Sequence, residues 1–141
     1  MEKQLLVSRI QTPDGTILTS RHVHDFVTHK DKNGLEYMLD GGTDYQRYYI
    51  NEEAPHINIS IYTDSPFELI REHYCRGTYG KEGNEAFRWI PLSKMTNEHL
   101  ENCIIHNYEN TGKIFSLPNS YYMQELIYRR DNDIHIADEI E

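Results

Sequence analysis

Asn33-Gly34 constrains this chain more than any other dipeptide in it. A two-residue hairpin turn that matches the twist of its strands needs positive φ at both central positions, and asparagine and glycine tolerate that best. HVHDFVT precedes the KDKNG segment and LEYML follows it, so the pair predicts two antiparallel strands joined there. A second turn, TPDG, separates LLVSRI from TILTS. Pro13 presets φ, Asp14 closes that turn and Gly15 takes the left-handed position. INISIYT sets Ile57, Ile59 and Ile61 against Asn58, Ser60 and Tyr62, the alternation of a strand with one buried face.

Beyond Tyr62 the period changes from two to that of a helix. In DSPFELIREHY, Ser65 suits an N-cap, Pro66 the first helical position and Glu68 the reciprocal place in a capping box, with the helix ending before Gly77. YCRGTYGK (Tyr74–Lys81) then reads as a helix end running into an exposed loop whose Arg76, Tyr79 and Lys81 can meet an anion. FRWIPL reads as a short strand stopped by Pro91. A second helix starts at Thr96, with Met95 stapled to Leu100, carries Leu100, Cys103, Ile104 and Tyr108 on one stripe, and stops at Gly112. A third begins near Pro118-Asn119, with Tyr122, Met123, Leu126 and Ile127 as its inner face and Glu125 paired to Arg129 one turn on. Strands first and helices later predict an α+β fold: an antiparallel sheet, built mainly from the N-terminal half, packed against about three C-terminal helices.

The 141 residues suit a single domain spanning 1–141. Net charge is −9, but residues 131–141 hold five acids and no base, so the other 130 residues carry −4. That end reads as an acidic tail. An acidic chain is poorly suited to non-specific nucleic-acid binding, which needs lysine and arginine to displace counterions. Cys75 and Cys103 lack metal-binding spacing and read as free thiols of a reducing compartment. No signal pattern opens the chain and no apolar run approaches membrane length, so a cytoplasmic location without membrane partners is expected.

Chemistry concentrates between Ser20 and Tyr48. On a regular strand, His22, His24 and Phe26 share one face while Val23, Asp25 and Val27 share the other. Two imidazoles at i and i+2 can reach one metal, but a site needs further ligands, which only Asp40 or Asp44 are placed to supply; the pattern assigns no metal and no cofactor. Asp25 between two valines must be paired, with Arg21, Arg47 or the amides of the Gly41-Gly42 turn as partners. It reads first as a buried polar staple and second as a ligand-orienting acid. LDGGTDY lacks the spacing and lysine of a phosphate loop. No catalytic triad, paired glutamates or Cys-His set stands out, so enzymatic activity is left open.

The run from Val7 to Arg47, with His24-Asp25, then Asp40-Gly41-Gly42, then Tyr45 and Arg47, resembles a family of small accessory proteins encoded by tailed bacteriophages and prophages. DSPFELIRE and FRWIPLSKMTNEHLENCI resemble its C-terminal portion. Some relatives carry cysteine pairs in the two turns, like a zinc ribbon; TPDG and HKDKNG stand there in this chain, so zinc does not carry over. The resemblance implies a phage counter-defence protein in the host cytoplasm. Arg21, His22, His24, Asp25, Asp40, Gly41, Gly42, Asp44, Tyr45 and Arg47 are then the candidate ligand-binding residues. Tyrosines offer stacking faces and arginines offer phosphate forks, so the expected ligand is a small nucleotide-type immune signal, sequestered without cleavage by a homo-oligomer. Two other readings stand beside it: an inhibitor that docks on a host defence protein through an acidic surface, and a small metal-dependent enzyme using His22, His24 and an aspartate.

Overall fold

Both expected turns join antiparallel strands, but of the Asn33-Gly34 pair only Gly34 has positive φ: the Asp31 carboxylate accepts the Asn33 and Leu35 amides at 2.9 Å, so the connection is longer than a two-residue turn. The structure, a computed structural model, describes residues 2–80 and 82–136. The chain divides into two compact units, Met1–Ile70 and Arg71–Glu141. Antiparallel strands fill the first unit, a short helix spans the boundary, and a two-stranded ribbon with two longer helices makes up the second, an α+β layout.

In the first unit, β1 (Leu5–Gln11) pairs with β2 (Ile17–Ser20) across the TPDG turn. β3 (Val27–Lys30) pairs with β4 (Glu36–Asp40) across Asn33-Gly34, and β4 pairs in turn with β5 (Arg47–Tyr48). Ile10, Leu18, Tyr37 and Leu39 form a buried cluster, with Val27 and Leu35 packed against it.

The INISIYT segment departs from its expected regular alternation. It forms two short pieces, β6 (Ile57–Asn58) and β7 (Ile61–Tyr62), both paired with β1. Between them the Ser60 hydroxyl accepts the Arg9 amide at 2.9 Å and donates to the Arg9 carbonyl at 3.1 Å, a side chain replacing a ladder rung. The break turns Ile57 outward, at 61% exposure, while Ile61 stays buried.

The unit boundary falls within α1 (Phe67–His73). The Ser65 hydroxyl accepts the Tyr62 amide at 3.0 Å, upstream of the helix it was expected to cap. YCRGTYGK proves to be a strand in part: β8 (Cys75–Thr78) pairs with β9 (Arg88–Pro91), so Cys75 lies on a strand and not in a helix. A single 3-10 turn, Leu92–Lys94, leads to α2 (Asn97–Thr111). There the Thr96 side chain accepts the His99 amide, Gly112 closes the helix at φ 70°, and Met95 and Leu100 are both fully buried.

The third helix, α3 (Leu117–Asp131), is capped by Ser116. Its inner face also differs from expectation. Ile127 is 46% exposed, whereas Asn119, Tyr121, Tyr122, Glu125 and Arg129 are buried. Glu125 receives Arg71 on both oxygens at 2.8 Å and Arg129 at 2.7 Å, while Arg129 also donates to Asn97 and to the Leu92 carbonyl. The buried charges satisfy one another, which is what lets a helix turn charged residues inward. Of the expected acidic tail, residues 137–141 lie outside the described residues.

Candidate functional site

Residues 22–25, expected on a strand, form a turn, because the side chain of Asp25 competes for the backbone. Its Oδ2 accepts the Arg21 amide at 2.8 Å and its own amide donates to the His22 carbonyl at 2.9 Å. Local bonds of this kind draw aspartate into turns and out of ladders. Asp25 is therefore half-buried beside a turn, not set between two valines on an apolar face. Of the partners expected for it, the Gly42 amide bonds to Ser20 and Arg47 to Asp40 instead.

The turn is locked to the Asp-Gly-Gly loop by a serine that sequence reading passed over. Ser20 is fully buried; its hydroxyl accepts the Gly42 amide at 2.9 Å and donates to the Asp25 carbonyl at 2.6 Å. Gly42 has φ +57°, and a Cβ there would stand 2.5 Å from the His22 carbonyl carbon. The glycine is needed for close approach of two backbones. Nothing in the types of Ser20 and Gly42 announces a bond between residues 22 apart.

Asp40, Tyr45 and Arg47 form a second group. Arg47 donates to the Asp40 carboxylate at 2.8 Å, and the Tyr45 hydroxyl reaches the same oxygen at 3.5 Å. Asp44 and Tyr45 donate their amides to the Gly41 carbonyl at 3.1 and 3.3 Å. The structure thus brings Arg21, His22 and Asp25 against Gly42, and Asp40, Tyr45 and Arg47 around Gly41. His22, His24 and Asp44 are exposed. His22 uses Nδ1 to accept the His24 amide at 3.3 Å, so the expected strand face with two parallel imidazoles does not form. Among the described residues, no group of three or more His, Cys, Asp or Glu side chains is placed to hold a metal ion.

A hollow of about 270 Å³ lies on the three-stranded sheet next to these loops, lined by Phe26, Thr28, Lys30, Glu36 and Tyr49 together with His29 and Tyr37. Strand alternation accounts for part of the lining. Thr28 opposes Met38, Lys30 opposes Glu36, and Asp40 opposes Arg47, so Thr28, Lys30 and Glu36 share one sheet face, whereas His29 and Tyr37 belong to the other face, with Val27 and Leu39. Phe26 and Tyr49, just beyond the paired residues, are 54% and 46% exposed. Their rings, with Lys30 close by, were missed in the sequence; the available signal was an aromatic residue two places from Thr28 on an otherwise polar face. His29 is fixed from behind by Asp14 at 2.7 Å.

The second unit has a cleft of its own, about 220 Å³, between the β8–β9 ribbon and the start of α2. The opposite face of that ribbon is aromatic. Tyr79, Phe87 and Trp89 pack edge to face with ring centroids 5.1 Å apart, and the Phe87 ring lies where a Cβ of Gly77 would be. Rings laid across a strand glycine stabilise a two-stranded ribbon that is marginal alone. They nevertheless remain 57%, 47% and 38% exposed.

Comparison with protein families, with curated proteins and with solved structures found no match to this chain. No helix among the described residues is long and apolar enough to cross a membrane.

Proposed function

We propose that this protein binds a small nucleotide-type ligand and holds it without turnover, in the phage counter-defence setting that its motif resemblance implies. One observation carries the reading: two exposed rings, Phe26 and Tyr49, line one hollow together with Lys30 and Glu36. A base stacks on aromatic faces whatever its sequence, contributing about 1–3 kcal/mol per base, and a cation beside it suits the attached phosphate. The hollow is smaller than the roughly 300–1,000 Å³ of pockets that enclose a drug-sized ligand, so it takes the heterocycle while the rest follows the sheet face towards Arg47.

The test is capture and release. The protein is incubated with cyclic oligonucleotides and ADP-ribose derivatives, freed of unbound ligand, and heat-denatured. Recovery of intact ligand is the expected result, with Phe26→Ala and Tyr49→Ala each weakening binding about tenfold or more. Absence of binding across the panel, or recovery of cleaved products, defeats the proposal.

A second reading has its own observation. The exposed Tyr79–Phe87–Trp89 row on an acidic protein suits docking on a host defence protein, because aromatic residues are enriched where proteins meet. Capture of one stoichiometric host protein, lost in Trp89→Ala, with no small ligand retained, favours that reading over the first.

A further inference from the structure

The cleft of the second unit has walls of opposite chemistry. Thr78 opposes Arg88, and Arg76 opposes Ile90, so Thr78, Arg88 and Ile90 project from one face of the ribbon. Facing them, the first turns of α2 contribute Glu98, His99 and Asn102. One wall therefore offers a guanidinium beside an apolar side chain, and the other a carboxylate beside an imidazole and a carboxamide. At ~30 Å³ per water, the volume of about 220 Å³ equals roughly seven waters, which admits a molecule of amino-acid size.

We propose that this cleft is a binding site for a small zwitterion of the amino-acid type. The ammonium group pairs with Glu98, the carboxylate is taken by the Arg88 fork, and the side chain lies on Ile90. Arg88 and His99 each already have an interaction within the chain. A guanidinium has five N–H donors, so such an engagement is compatible with two more bonds to a carboxylate. Glu98 meets the ammonium and Arg88 the carboxylate, so blocking either end of the zwitterion removes one ion pair.

Three probes separate the possibilities: L-leucine, N-acetyl-L-leucine, which lacks the ammonium, and L-leucine methyl ester, which lacks the carboxylate. Calorimetric titration of the full chain is expected to give a Kd of about 1 mM or tighter for leucine, with each blocked form at least about tenfold weaker. Glu98→Gln should weaken leucine about tenfold and leave N-acetyl-leucine unchanged. Amide NMR signals of Thr78, Ile90 and Asn102 should move on titration. The proposal is overturned if leucine does not bind, if the acetylated form binds as well as leucine, or if the moving signals lie elsewhere. It is equally overturned if Glu98→Gln, checked for an unchanged melting curve, binds leucine normally. Should that variant melt early, Ile90→Ala is the replacement, and normal leucine binding by it overturns the proposal too.

Discussion

Arg129 lies one turn beyond Glu125 on α3, and its Nε stands 2.7 Å from the Glu125 carboxylate with both side chains buried. Arg71 reaches the same carboxylate through two bonds of 2.8 Å while its guanidinium covers the Tyr128 ring at 4.5 Å. Removing the shared acid takes the counter-ion from buried Arg129 and leaves Arg71 with the half-exposed Glu72, 3.1 Å away. Glu125→Ala is expected to destabilise that unit by about 3–5 kcal/mol, measured by denaturant unfolding. A combined Glu125→Leu and Arg129→Leu change should cost less than the sum of the two single changes. Additive costs would show that the pair is not coupled.

The contact between Gly42 and His22 gives a backbone prediction. Gly42→Ala must place a methyl group against main-chain atoms at a φ that alanine avoids. A loss of about 2–3 kcal/mol is expected, because neither loop can yield without breaking the Ser20 bonds. Gly34→Ala, which meets no atom within 4 Å, should cost less, since only its φ of +85° is strained. Equal losses at the two positions would argue against backbone crowding.

For Asp25 the relevant contrast is alanine against asparagine. Asp25→Ala strands the Arg21 amide and should cost about 1–3 kcal/mol, whereas Asp25→Asn keeps an acceptor oxygen and should retain most of the stability. If alanine leaves the melting temperature unchanged yet abolishes ligand retention, Asp25 acts on the ligand and not as a staple.

The Asp14 carboxyl sits well below the usual carboxylate range, held there by the Thr12 hydroxyl, then the His29 ring, with the Thr16 amide adding to both. A depressed folded-state value means that its stabilisation is present above the unfolded value of about 3.9 and is lost as pH falls through the folded value. Melting temperature measured against pH should therefore fall below about pH 4, and Asp14→Asn should start lower at neutral pH and slope less across that acid window. Parallel curves would remove Asp14 from the acid transition.

Much of the helical half could be read locally. Thr96 and Gly112 bound α2 because a cap and a left-handed stop are decided within a few residues, and the Asn33-Gly34 turn is local in the same way. What escaped depended on distant partners. Glu125 and Arg129 turn inward only because Arg71, 54 residues earlier, completes their charge balance. β8 was hidden because Gly77 weakens a strand unless rings from across the ribbon cover it. The candidate residues around Gly41 and Gly42 were legible as a group. Their lock was not, since Ser20 looks like any strand serine until Gly42 comes within reach.

Because a single carboxylate serves two guanidinium groups, positions 71, 125 and 129 cannot drift independently. In descendants of this chain, an apolar residue at 125 should be tolerated only where 71 and 129 have also given up their cations. The trio would then be inherited as a unit, and covariation among those three columns would mark a homologue even where the rest of its sequence has diverged.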